Sequence, residues 1–134
     1  MSEPAVLDSA QAIAAHLADA IEEWERGRRG VRFVLCDARN EVRVHCPVDD
    51  LPARTDPADC AHAVSVFATA LADSEPDGAL LVALTRPGSG IVTDPDRVWF
   101  HSAHEVCAKV GVRLLGVYLL TPSGQREIVL DDAL

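Results

Sequence analysis

The stretch from Ala79 to Leu84 constrains the fold more than any other part of the sequence, because every residue in it is apolar. A strand that is apolar at consecutive positions needs cover on both faces, which is typical of a central strand between helices. A glycine-rich loop follows from Arg86 to Gly90. Residues 93–96 then form a helix start, with a threonine and an aspartate that can cap it and a proline suited to its first turn. The sequence therefore predicts a central strand–loop–helix unit.

Apolar periodicity and turn residues predict the other elements. Apolar residues at helical spacing favour a first helix from Asp8 or Ser9 to about Arg28, with Trp24 as the last residue of its inner stripe. The remaining elements are strands at 31–36 and 42–46, a helix at 57–74, the strand at 79–84, a helix from 94 to about 110, and strands at 112–121 and 125–130. This order, α-β-β-α-β-α-β-β, predicts an α/β (α+β) fold with three layers, a mixed sheet and an antiparallel hairpin at each end of the sequence.

The charge of the chain makes some partners unexpected. With 21 acidic and 12 basic residues the net charge is −9, which repels phosphate backbones and argues against nucleic acid. A cluster of basic residues is interpreted as the C-terminal end of the first helix, where cations interact favourably with the helix dipole. Its members are Arg26, Arg28, Arg29 and Arg32.

The length of 134 residues predicts one domain, 1–134, with its core at about 7–131. Neither an export signal nor an apolar run of about 20 residues is visible, so a cytoplasmic protein without a membrane partner is expected. The four cysteines are then expected to be reduced thiols packed in the core. An edge hairpin can be buried against a second copy of the chain, so a homodimer is one expected assembly.

The chain resembles the JAB/MPN domain, specifically its RadC-like bacterial branch, from about Leu7 to Ser123. Phe33 to Asn40 resembles the first hairpin of the family, and Ala79 to Gly90 resembles the strand that ends in its H-x-H-P-S-G loop. Lys109 to Gly116 resembles the segment that precedes and begins its following strand. The resemblance implies a cytidine-deaminase-like fold and, in active members, a zinc ion that activates water for hydrolysis.

The resemblance also implies that the zinc ligands are missing here. The two histidines of the motif fall on Leu84 and Arg86, and neither side chain offers a lone pair to a metal. The serine of the family falls near Asp94 and its aspartate near Arg97, although a one-residue gap would bring Asp96 to the aspartate position. The glutamate of the hairpin falls near His45 or Cys46, since Glu41 comes too early. No cofactor, no metal and no catalytic residue are therefore expected.

The loop after the central strand is the candidate binding site. Backbone N–H groups at a loop–helix junction favour anions, so the loop and the start of the next helix are candidates for binding an anion or a partner's carboxylate. The alternative is that Arg86 pairs with Asp94 or Asp96 and only closes the loop. The candidate residues are Arg86, Gly88, Ser89, Gly90, Asp94 and Asp96.

Weaker candidates exist for a metal site. His101, His104 and Cys107 are spaced three apart on the predicted helix, but a conventional zinc site also needs ligands from another element. His45 and Cys46 are neighbours on a strand and point to opposite faces. Partly exposed histidines and core cysteines are the plainer interpretation of these five residues.

Three functions remain open at this level. The first is a catalytically inactive JAB/MPN-like domain, a pseudoenzyme that serves as a protein-interaction or scaffolding module for an unidentified protein partner. The second is a metal-dependent hydrolase or isopeptidase with a rearranged site drawn from His45, Cys46, Asp94 and Asp96. The third is a sensor of a small anion or ligand that uses the Arg86 loop.

Overall fold

Helices and strands alternate along residues 4–134, the part of the chain that the structure, a computed structural model, describes. The helices are α1 (Ala10–Ala20), α2 (Glu23–Arg26), α3 (Pro57–Ser74) and α4 (Asp94–Val110), with a 3-10 turn at Leu130–Ala133. The strands are β1 (Gly30–Cys36), β2 (Val42–Val48), β3 (Ala79–Thr85), β4 (Arg113–Thr121) and β5 (Gly124–Ile128). A mixed α+β fold with five strands is thus confirmed, and it contains four helices.

Strand β3 is the centre of the sheet, whose order is β2-β1-β3-β4-β5. It runs antiparallel to β1 and parallel to β4, and each outer pair is an antiparallel hairpin. All seven residues of β3 are buried, because helices cover both faces of the sheet. The continuous apolar run in the sequence is explained by this double cover.

The two faces of the sheet carry two separate cores. Helices α3 and α4 pack on one face, where Phe33 stacks on Phe67 with 4.2 Å between ring centroids and lies edge-on to Trp99. Helix α1 packs on the other face through Ile13 and Leu17. Helix α4 ends where predicted, since Gly111 takes the left-handed conformation with φ +88° that a helix end of this kind requires.

The first helix is shorter than predicted. It ends at Ala20, and Ile21 is extended and buried in the core below α1. Glu22 then precedes a new short helix, α2, and its backbone N–H donates to the Glu25 carboxylate at 2.8 Å. The prediction of one helix to Arg28 is therefore wrong. Trp24, which was assigned to the inner stripe, lies on α2 and is 62% exposed.

The arginine cluster is not the end of α1, because Arg26 is the last residue of the short helix α2 and Arg32 lies in a strand. Arg32 lies in β1 and is buried. Its Nη2 donates to the Glu25 carboxylate at 2.9 Å and lies 3.1 Å from the Asp49 carboxylate. This buried cation joins α2 and the segment after β2 to the sheet. The last strand is shorter than predicted as well, because it ends at Ile128 and Leu130 begins the 3-10 turn.

Within residues 4–134, none of the helices has the length and apolar character needed to cross a bilayer.

Candidate functional site

The candidate site is a pocket of about 600 Å³ beside the carboxyl end of β3. Its walls are the N-terminal ends of α3 and α4, the start of β1 and the connection at residues 49–56. Leu84, Arg86 and Asp96 all line it. Leu84 and Arg86 are two residues apart, so an extended chain directs both to the same side. The strand–loop–helix unit predicted from the sequence therefore forms one wall of a cavity.

Arg86 makes the central contact of this wall, an ion pair with Asp96. Nη2 lies 2.8 Å from Asp96 Oδ2, and Nε lies 3.1 and 3.2 Å from the two carboxylate oxygens. The side chains are 15% and 4% exposed, so both charges are largely removed from water. A buried pair of this kind is strongly destabilised when one partner is removed.

The rest of the Arg86 guanidinium holds the glycine-rich loop. Nη1 donates to the carbonyls of Pro87 and Ser89 at 3.0 and 2.9 Å, and Nη2 also donates to the carbonyl of Ile91 at 2.8 Å. A guanidinium has five N–H donors, and these contacts with the Asp96 pair use all of them. Arg86 is thus a structural centre around which the loop is wrapped.

The loop itself turns at Gly88, whose φ of +97° is strained for any other residue. The Ser89 hydroxyl accepts a bond from the backbone N–H of Ile91, and Gly90 approaches the side chain of Arg126. Because the loop directs carbonyl oxygens at Arg86, its inner side is suited to a cation. The cation that these carbonyl oxygens bind is the Arg86 guanidinium.

Asp96 and Asp94 have different roles at the start of α4. Asp96 accepts a bond from the backbone N–H of Thr93 at 2.9 Å, so it caps the helix while it holds Arg86. Asp94 is 95% exposed and pairs with Arg97 at 2.7 Å. Of the two pairings offered by the sequence for Arg86, the structure has the one with Asp96.

His45 and Cys46 lie on opposite sides of β2, as the alternation along a strand requires. His45 stands opposite Val34 and faces the α1 side, where its ring centroid is 6.4 Å from that of His16. Burial lowers the pKa of both histidines. Cys46 packs with the core under α3 and α4. The residues proposed for a rearranged metal site are therefore divided between the two faces of the sheet.

The candidates on α4 are also separate. His101 Nε2 lies 3.1 Å from the carbonyl oxygen of Ala133, and His104 packs on Phe100 with 4.3 Å between ring centroids. Burial, and next the charge of His101, lower the pKa of His104. Cys107 is buried on the inner side of the helix. Among residues 4–134, no three histidine, cysteine or acidic side chains are grouped so that they could hold a metal ion.

The buried thiols have the properties of core residues. Burial raises the pKa of Cys36, Cys60 and Cys107 to about 11, which keeps them protonated at neutral pH. A protonated thiol is a poor nucleophile and a poor metal ligand. Cys46, the fourth cysteine, is half-buried.

The sequence did not indicate the pocket or the residues that hold its outer wall. That wall is the connection at residues 49–56, whose Leu51 N–H donates to the carbonyl of Arg29. Its first residue, Asp49, pairs with the buried Arg32. The only signal in the sequence was Arg32, a lone arginine among the apolar residues of the strand predicted at 31–36. Such a residue indicates a buried charge that needs a partner.

No protein-family model matches the chain, and no curated protein matches it significantly.

Proposed function

We propose that the chain is a catalytically inactive JAB/MPN-like domain of the RadC-like branch that acts as a protein-interaction module. The observation that carries the proposal is the ion pair between Arg86 and Asp96. It lies at the position where the resemblance puts the zinc site, and the remaining contacts of both side chains, to three loop carbonyls and to the Thr93 N–H, are also within the chain.

Two observations support the proposed family. The resemblance puts the two histidines at positions 84 and 86, and a one-residue gap puts its aspartate at position 96. These three positions line one pocket, as ligands of a single ion would. The sheet is mixed, with a parallel β3–β4 pair and an antiparallel hairpin at each end of the sequence, and this supports the proposal at the level of the α+β class.

The residues at these positions do not fit zinc. Leu84 has no donor atom, and Arg86 is a permanent cation that would repel a metal ion. Asp96 is the one potential ligand of the three, and its carboxylate already binds Arg86 and the Thr93 N–H. We therefore derive no hydrolytic step for this site.

The exposed part of the loop supports an interaction role. Ile91, which directly follows the loop, is 75% exposed, and Pro87 and Ser89 within the loop are exposed too. The Arg86 contacts fix the backbone beneath these residues. A rigid loop that presents an apolar side chain can bind a partner without the cost of ordering.

The other two functions receive less support. A rearranged metal site needs His45, Cys46, Asp94 and Asp96 to converge, and they do not. An anion sensor needs guanidinium donors that are free to bind a ligand, and those of Arg86 are all used within the chain.

Two measurements test the proposal. Equilibrium dialysis of the reduced chain against zinc is expected to give far less than one bound ion per chain, and stoichiometric binding would contradict the inactive assignment.

Affinity capture from cell extract is expected to recover a protein with the native chain and with the control Val66→Asp, but not with Ile91→Asp. Val66 is a half-exposed residue on α3 that does not line the pocket. Equal capture by both variants would exclude the loop as the interaction site.

A further inference from the structure

The pocket beside β3 has the dimensions of a small-molecule site. Its volume of about 600 Å³ falls in the usual range for such sites, roughly 300–1,000 Å³. It is part of the fold and does not depend on the family resemblance. An inference from it therefore goes beyond the proposed interaction role.

The inner surface of the pocket is apolar. Val31, Leu84 and Trp99 are buried core residues that also line it, and Ala63 and Leu51 line it from the α3 and loop sides. An apolar lining that includes one tryptophan suits an apolar group. Burial of such a group is favourable because it removes apolar surface from water.

The charges around the pocket cancel. Three arginines and three aspartates line it, in a chain whose net charge is −9. The Arg86–Asp96 pair is internally satisfied, which leaves two cations and two anions toward the rim: Arg29, Arg54, Asp56 and Asp59. This balance attracts neither an anion nor a cation as such. It matches a ligand without net charge.

We infer that this pocket binds a small, uncharged, mainly apolar molecule, with its apolar body against Trp99 and Leu84 and its exposed end between the rim charges. The argument combines the volume, the apolar lining and the cancelled charge. An anionic ligand of the same shape binds less well, because it would lose water without gaining a guanidinium donor from Arg86.

A matched pair of fluorescent probes tests this inference. N-phenyl-1-naphthylamine is uncharged and apolar, and 8-anilino-1-naphthalenesulfonate is the same skeleton with one negative charge. The full chain with Trp24→Phe keeps Trp99 as its only tryptophan, because the sequence has two. Saturable quenching of Trp99 emission by the uncharged probe, with weaker binding of the sulfonate, is expected.

Two variants of α3 locate the binding. Ala63→Phe fills the pocket and is expected to weaken binding of the uncharged probe by roughly tenfold or more. Ala70→Phe adds the same side chain at an exposed position of α3 outside the pocket and is expected to leave binding unchanged. Far-UV circular dichroism checks that both variants are folded.

Several outcomes overturn the inference. Tighter binding of the sulfonate indicates an anion site, and equal binding by Ala63→Phe indicates another surface. Absence of saturable Trp99 quenching by the uncharged probe contradicts binding of an uncharged apolar molecule in this pocket. None of these results bears on zinc, so they are separable from failure of the proposed function.

Discussion

Replacing Arg86 by alanine removes the group that holds the loop and the start of α4 together. Asp96, whose side chain is 4% exposed, would retain only the Thr93 N–H as a partner. Breaking a buried ion pair in this way costs about 3–5 kcal/mol. The 15% exposure of Arg86 admits some water to the site, so we expect the lower end, about 3 kcal/mol. That is a large part of the usual stability of about 5–15 kcal/mol.

Urea denaturation followed by circular dichroism at neutral pH measures this loss. With a slope of about 1.5 kcal/mol per molar urea, the midpoint is expected to fall by about 2 M. Asp94→Ala is the matched control, because it removes an exposed carboxylate of the same helix turn and is expected to cost less than about 1 kcal/mol. Arg86→Met combined with Asp96→Asn should recover at least about half of the loss, since no buried charge is left unpaired. If Arg86→Ala unfolds within about 1 kcal/mol of the native chain, the pair does not hold the site and our reasoning is refuted.

Three further predictions concern other parts of the fold. Burial lowers the pKa of His16 and His45, so the unfolded chain binds protons at a higher pH than the folded chain does. The free energy of unfolding is therefore expected to fall as the pH drops below about 6.5. In urea titrations, His45→Gln should flatten this slope between pH 7 and 5.5. An unchanged slope would contradict the assignment. Gly111→Ala should lower the free energy of unfolding by about 1 kcal/mol, because Gly111 has a φ of +88° that strains an alanine. No atom obstructs the added methyl group, so the loss would come from the backbone alone. An unchanged free energy of unfolding would exclude this strain. Iodoacetamide at pH 8 should alkylate Cys46 faster than the three buried thiols, as peptide mass spectrometry would show, and equal rates would contradict their burial.

Features encoded by local chemistry could be predicted from the sequence. Ala79 to Leu84 reads as a covered strand because every position is apolar, and the structure buries all of it. The bounds of α3 follow from Asp56 as the cap and Pro57 in the first turn, and Asp56 does accept a bond from the N–H of Ala58. Such signals depend only on neighbouring residues.

Features that depend on distant contacts could not be predicted. Helical spacing continues through Ile21 and Trp24, and only the packing of Ile21 below α1 shows that the helix must end before it. The sequence left Arg86 with two possible partners. The choice depends on the third position of α4, from which Asp96 reaches back to the loop, whereas Asp94 at the first position points to solvent. The pocket has no local signal, since its walls come from four separate segments.

In the proposed function, Arg86 and Asp96 replace a metal site whose shape the fold retains. Restoring the ligands tests it most directly: the double variant Leu84→His and Arg86→His, with Asp96 unchanged, places three potential ligands in one pocket and leaves the fourth position of a zinc site to water. Equilibrium dialysis and cobalt absorption spectra of this variant should show one bound ion per chain, with tetrahedral coordination, and addition of Asp96→Asn should weaken binding by at least roughly tenfold. A folded double variant that binds no metal would contradict the claim that these three positions form the metal site of a JAB/MPN-like fold.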